Sequence, residues 1–206
     1  ISINDNFYDA REALGICYTS QGKFKEAVRI YKKALKKHPK AYELYYNIAV
    51  LEVEMQEYDK AKLAFIKAIE IKPDLYTALN NLGNLYYLTG EYEEAKNLYK
   101  KMLNSGIYAA KAYFKVAKCY ASLKENEKAM AALEYAIELD FQYIDKVKEE
   151  TVFYSMKNLI DNYLIDREIL KNKEKERNNY ITNKFKLFKK EEDKFFDYEK
   201  KYNNYS

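Results

Sequence analysis

Apolar residues along this chain recur three and four positions apart rather than alternately. Ala27, Ile30, Tyr31, Ala34 and Leu35 fall on one face of a helix, with Arg29, Lys32 and Lys33 between them. That face then repeats. Leu14, Ile48, Leu82 and Val116 stand 34 residues apart, and the same step carries Gly15 to Ala49, Gly83 and Ala117. It also carries Ala27 to Ala61, Ala95 and Ala129, and Tyr31 to Phe65, Tyr99 and Leu133. A fixed period of this size predicts stacked helix pairs, each burying its apolar face on its neighbours, rather than one globular core. Gly22 and Gly90 mark the turn within a pair. Pro39 and Pro73 mark the break between pairs, since Pro tolerates a helix start but not a helix interior. The small residue of each pair (Gly15, Ala49, Gly83 or Ala117) lets two helices approach, with the alanine of the second helix fitting against it. Tyr31, Phe65 and Tyr99 are expected to fill the space where consecutive pairs meet, each adding roughly 1.5–3 kcal/mol of burial.

The first unit, residues 8–41, contains Leu14-Gly15, Tyr18, Gly22, Phe24, Ala27, Tyr31, Ala34 and Pro39. This resembles the tetratricopeptide repeat, whose pattern runs Leu-Gly-x-x-Tyr, then Ala-x-x-x-Phe, then a closing Pro. The second unit, 42–75, carries Tyr45, Ile48-Ala49, Tyr58, Ala61, Phe65, Ala68 and Pro73. The third, 76–109, carries Leu82-Gly83, Tyr86, Gly90, Tyr92, Ala95 and Tyr99, and the fourth, 110–143, Tyr113, Val116-Ala117, Tyr120, Ala129, Leu133 and Ala136. The resemblance implies an all-α fold: a right-handed superhelical array of four helix-turn-helix units filling residues 1–143. The third and fourth units put Ile107 and Phe141 where the Pro is expected, although Gly106 can end the preceding helix. Lys124 and Asn126 replace the turn Gly and the following aromatic, so the fourth unit is expected to be the least regular.

Beyond Tyr143 the period dissolves, with Thr151 and Tyr163 where a fifth unit needs small residues. Ile144, Val147, Phe153, Met156, Leu159, Ile160, Tyr163 and Leu164 keep helical spacing, which reads as one or two capping helices over 144–170. The tail over 171–206 is charged and aromatic-rich, with Ile181, Phe185, Phe188, Phe195 and Tyr202 on a 4-3 spacing interrupted by Glu192 and Glu199. It reads as a solvated helix packed on the array, a self-association helix, or a segment that folds on a partner.

Composition narrows the chemistry. Of 206 residues 48% are hydrophobic, with five Gly and two Pro, as nearly all-helical structure requires. No run approaches the ~18 apolar residues of a membrane span, and no signal peptide is visible. The chain begins at Ile1, which reads as a truncated or processed N-terminus, and the favoured location is the cytoplasm. Cys17 and Cys119 hold the same position in the first and fourth units, too far apart for a disulfide, and read as small hydrophobes at packing surfaces. His38, the single histidine, lies beside Pro39 at a helix end and reads as a solvated residue. With no nucleophile motif, phosphate loop or ligand-spaced Cys/His cluster, no enzyme, cofactor or metal is expected. The net charge of +4 lies in the tail: 11 Lys/Arg against 7 Asp/Glu in residues 171–206 leave 25 of each in 1–170. A neutral array is a poor electrostatic partner for nucleic acid.

In tetratricopeptide arrays the first helix of each unit lines the concave face. The resemblance therefore implies a groove lined by Asp9, Glu12, Ala13 and Ile16, then Glu43, Tyr46, Asn47 and Val50. The third unit would supply Thr77, Asn80, Asn81 and Asn84, and the fourth Lys111, Phe114, Lys115 and Lys118. Such a groove is acidic at its start, amide-rich in the middle and basic at its end. Asn47 and Asn81, one repeat apart, could clamp the backbone of an extended peptide, since an amide both donates and accepts. Lys111, Lys115 and Lys118 could hold an acidic residue or a terminal carboxylate. The family's carboxylate clamp for chaperone tails is matched by Asn81, Lys111 and Lys115, but not by Tyr46 and Val50. The expectation is thus a non-enzymatic scaffold that binds a peptide or protein segment in the concave groove. The alternatives are a self-assembly module acting through the tail, or the docking domain of a larger protein whose catalytic part lies elsewhere.

Overall fold

The computed structural model describes residues 3–106, 108–165, 167–169, 171–176 and 178–179, with side chains from residue 12 onward apart from Asn104. Residues 1–140 form one compact unit. It consists of helices α1 (Ile3–Ser20), α2 (Phe24–Leu35), α3 (Tyr42–Glu54), α4 (Tyr58–Ile71), α5 (Tyr76–Leu88), α6 (Tyr92–Lys101), α7 (Ala109–Ser122) and α8 (Asn126–Leu139). They pair as hairpins, α1 with α2 through α7 with α8, and each hairpin packs on the next through its second helix and its neighbour's first. The fold is all-α and made of four helix-turn-helix units.

One termination geometry closes all four first helices. Gly22, Gln56, Gly90 and Lys124 adopt φ of +70°, +58°, +83° and +62°, at intervals of 34 residues. After α3, Gln56 N–H donates to the Val53 carbonyl at 2.8 Å and Glu57 N–H to the Glu52 carbonyl at 2.8 Å. The same pair of bonds follows α1, α5 and α7. This is the Schellman closure, which satisfies carbonyls that a helix end leaves unpaired. The fourth unit therefore keeps the turn of the others although Lys124 replaces glycine, and the irregularity expected there is absent. It appears in the third unit instead. α6 stops at Lys101, a 3₁₀ turn spans Leu103–Ser105, and Gly106 reverses the chain at φ +66°.

The alanine column Ala27, Ala61, Ala95 and Ala129 is fully buried, and so are Tyr31, Phe65, Tyr99 and Leu133. The rings also press on the small residue of their own unit. A Cβ added to Gly83 would stand 2.6 Å from a ring carbon of Tyr99, and one on Gly15 would stand 2.2 Å from Tyr31. Leu14 is 42% exposed, while its counterparts Ile48, Leu82 and Val116, each on a hairpin packed against the one before it, are buried. Cys119 is buried in α7, which pushes its thiol up to about 12, whereas Cys17 is exposed and is not the packing residue expected from its position.

The described residues from Phe141 onward form a second unit. It comprises α9 (Tyr143–Glu149), a 3₁₀ segment (Thr151–Met156) and helix from 157 through the described residues up to 179. Ile144, Val147, Phe153, Met156, Ile160 and Leu164 are buried. Lys148 pairs with Glu168, and Lys171 with Asp145 at 2.6 Å, so the long helix runs back beside α9. Ile181, Phe185, Phe188, Phe195 and Tyr202, read as a 4-3 stripe, lie outside the described residues. No helix among the described residues is long and apolar enough to cross a membrane.

Gly83→Ala drives a methyl group into Tyr99, and better helix propensity (about 1 kcal/mol) offsets only part of the clash, so a net loss of about 1–2 kcal/mol is expected in urea unfolding. Adding Tyr99→Leu recreates the Ala117–Leu133 pair and should recover part of that loss. Additive single losses would show that the two positions do not couple. A thiol reagent at pH 8 should titrate one cysteine in the native chain and two in denaturant. Two fast native thiols would contradict the burial of Cys119.

Candidate functional site

Helices α3, α5 and α7 present one face each to the same side of the array. Val50, Val53 and Glu54 of α3 are successive turns of one stripe, and Asn81, Asn84, Leu85 and Leu88 of α5 form the facing stripe. Between them lies a cleft of about 250 Å³ with Phe65 at its base. Leu88 is 66% exposed, large for a leucine at helical spacing within a packed array.

The amides of α5 are largely committed. Asn81 Nδ2 donates to the Tyr46 hydroxyl at 3.2 Å, tying α5 to α3, and Asn80 Nδ2 donates to Asn81 Oδ1 at 3.2 Å. Asn80 Oδ1 is buried without a hydrogen-bond partner. Asn84 Oδ1 accepts from the Tyr99 hydroxyl at 2.8 Å and from Lys115 Nζ at 2.8 Å. An ammonium can only donate, so the Asn84 oxygen faces Lys115 and its NH₂ points away. Burial pushes the Tyr99 hydroxyl far above its ordinary pKa, so it stays protonated and remains a donor. Tyr87 Oη and Ser122 Oγ lie 3.0 Å apart, and Lys118 stands 5.2 Å over the Tyr87 ring. The junction of α5 with α7 is thus closed by polar contacts, while that of α3 with α5 is held by one hydrogen bond above an open apolar cleft.

Asn81 and Asn84 line the cleft, and Asn80 adjoins it through its bond to Asn81. Asn47 is half-buried on α3 and its side chain makes no hydrogen bond. Tyr46 packs edge-on to Phe65 at 5.8 Å as well as accepting from Asn81. Lys115 and Lys118 lie over Tyr99 and Tyr87, and Lys111 is exposed at the start of α7. Glu12 is half-buried and lies near the Tyr31 hydroxyl, Glu43 is half-buried near Lys72, and the side chain of Asp9 lies outside the described residues. Phe114, read as a groove contact, is 6% exposed and belongs to the core. Sequence reasoning missed Val53, Glu54, Leu85 and Leu88. The stripe continues one turn past Val50 and Asn84, and extending the same helical spacing finds them. Among the described residues no group of three His, Cys, Asp or Glu side chains gathers to hold a metal ion.

Comparison with known proteins gives one consistent result. Residues 18–74, 77–105 and 110–143 each match a model described as tetratricopeptide repeat. No curated protein matches the sequence. Among solved structures, MamA (from residue 41 to its end) of Desulfovibrio magneticus RS-1 superposes with a TM-score of 0.66 at 16% identity, over 81% of this chain and 96% of that one. A second MamA structure gives 0.63 at 23% identity, over 78% of this chain and 97% of that one. Pseudomonas aeruginosa PilF gives 0.62 at 20% identity, over 81% and 77%. At these identities the likeness shows the fold.

Because Asn84 accepts from the buried Tyr99 hydroxyl and from half-buried Lys115, Asn84→Leu should cost about 1–3 kcal/mol in urea unfolding, while Asn47→Ala should stay within about 0.5 kcal/mol. Equal losses would mean that the bonds to Tyr99 and Lys115 contribute nothing net.

Proposed function

The chain belongs to the tetratricopeptide repeat family of protein-interaction scaffolds, and on that premise we propose that the cleft between α3 and α5 receives an extended segment of a partner protein. The observation that carries this reading is Leu88, exposed beside Val50 and Val53 at the mouth of a cleft with Phe65 at its base and Asn81 and Asn84 in its wall. An apolar side chain of the partner would fill the cleft and cover Leu88. The NH₂ of Asn84, directed away from Lys115, would donate to a backbone carbonyl of the segment, and the uncommitted amide of Asn47 would read the next peptide unit. Lys111, exposed one helix along, would meet an acidic residue or terminal carboxylate. Cation and amides fix register, and the apolar insertion supplies most of the affinity. The reading assigns no catalytic step to the chain, in keeping with a fold typical of non-enzymatic scaffolds.

The test is affinity capture with the full chain as bait, run in parallel with Leu88→Asp and Asn47→Ala. A partner held by the parent chain should be lost with Leu88→Asp, which places a charge at the mouth of the cleft, and weakened with Asn47→Ala. A capture profile unchanged by Leu88→Asp would sink this reading.

A further inference from the structure

The repeat supplies its own control for a second cleft, on the opposite side of α3. Tyr18, Glu52, Tyr86 and Tyr120 stand at equivalent positions of the four units, so the second unit alone lacks a ring there. At the junction of the third and fourth units the Tyr120 ring lies beneath Lys96, Lys100 and Lys128, whose Nζ atoms stand 4.8, 5.4 and 5.7 Å from its centroid. At the middle junction Lys62 stands 5.0 Å over Tyr86. At the first junction Glu52 replaces the ring, its side chain 3% exposed and held by Lys32 at 3.3 Å. Stepping back 68 residues from Lys100 and Lys128 leads to Lys32 and Lys60, and both line the space around Glu52. Lys67, equivalent to Lys33 and Lys101 in the first and third units and to Tyr135 in the fourth, lines the same space beside Tyr45.

The consequence is a cleft of about 470 Å³ between α2 and α4, within the range of small-ligand sites. Leu35, Ile48 and Ala64 form its floor, and Leu63, 66% exposed, stands at its edge. Four lysines against the single glutamate give its lining a net charge of +3. Lys60 and Lys67 are shared with Glu57 and Glu70 through exposed one-turn bridges, which contribute little and rearrange readily. Lys36 is exposed and carries no ion pair.

We propose that this cleft is a second docking site, independent of the one between α3 and α5, for an aromatic side chain carried on an acidic segment of a partner protein. The aromatic ring takes the place that Tyr120 occupies in the fourth unit, between an apolar floor and lysine ammonium groups, gaining burial and cation–π attraction. Carboxylates flanking it in the partner reach Lys36 and exchange with Glu57 and Glu70 for Lys60 and Lys67. A basic segment would meet the same lysines as repulsion.

The test uses a phage-displayed library of random peptides selected on the full chain. Peptides with an aromatic residue between glutamates or aspartates should be enriched. Their affinity should fall at least tenfold with Glu52→Tyr, which installs the ring of the other units, and with Lys36→Glu, and should be unchanged with Leu88→Asp. A circular-dichroism melt establishes that Glu52→Tyr is folded; Lys36→Glu, on the surface, decides the matter if it is not. Absence of acidic aromatic peptides from the selection, affinity indifferent to both cleft variants, or affinity lost with Leu88→Asp would each overturn the proposal.

Discussion

The close fit between a small residue on the first helix of each hairpin and the ring or branched side chain sixteen residues later is the constraint on which the array depends. Gly15 lies against Tyr31 and Gly83 against Tyr99, and Ala49 with Phe65 and Ala117 with Leu133 hold the equivalent positions. Glycine meets tyrosine, and alanine meets phenylalanine or leucine, so what one position adds the other gives up. The fit sets how near the two helices lie, and that spacing is what lets the alanine column bury completely. It also fixes the lever for everything outside the core. Tyr99, seated against Gly83, carries its hydroxyl out to Asn84, and through Asn84 the core reaches Lys115 on the next hairpin.

With hairpin geometry held constant, differences between junctions come from single side chains at equivalent positions. On the side facing the first helices, α5 and α7 are joined by Asn84–Lys115 and Tyr87–Ser122, and their polar groups are spent on each other. The junction of α3 with α5 keeps one such bond, Asn81 to Tyr46, and presents Val50, Val53 and Leu88 instead. On the other side, Tyr86 and Tyr120 sit under lysines where Glu52 does not fill the space. A scaffold of near-identical units acquires distinct surfaces in this way without any change of backbone.

How much of this could be read from the sequence follows from which positions the core constrains. The 34-residue step and the all-helical hairpins were legible because alanine, glycine and ring columns cannot vary without breaking the fit just described. The turns were legible only where glycine marks them. Gln56 and Lys124 adopt the same left-handed φ at a cost of about 1 kcal/mol that the hydrogen bonds of the closure offset, and nothing in their side chains announces it. Phe114 shares a helix face with Lys111, Lys115 and Lys118, yet it is buried, because facing the neighbouring hairpin and facing the groove differ by a fraction of a helical turn. The engagement of Asn81 and Asn84 was also hidden. An amide column looks equally available at every repeat until the hydroxyl and ammonium that occupy it are located.

A ligand is taken up most cheaply where internal satisfaction is incomplete. A polar group already paired inside the array gives up a bond to take a ligand, whereas an exposed leucine or an unspent amide gives up only water. By that measure the closed junction of α5 with α7 is a poor acceptor despite its lysines, since Lys115 would have to give up its bond to Asn84. Lys118 would likewise have to leave the Tyr87 ring. Charge alone points to α7; counting what each group already holds points instead to α3 and α5, with Lys111 as the cation at the start of α7 that no such contact holds. Lys115 and Lys118 therefore act as part of the frame beside the adjacent cleft, and Lys111 is set apart from them.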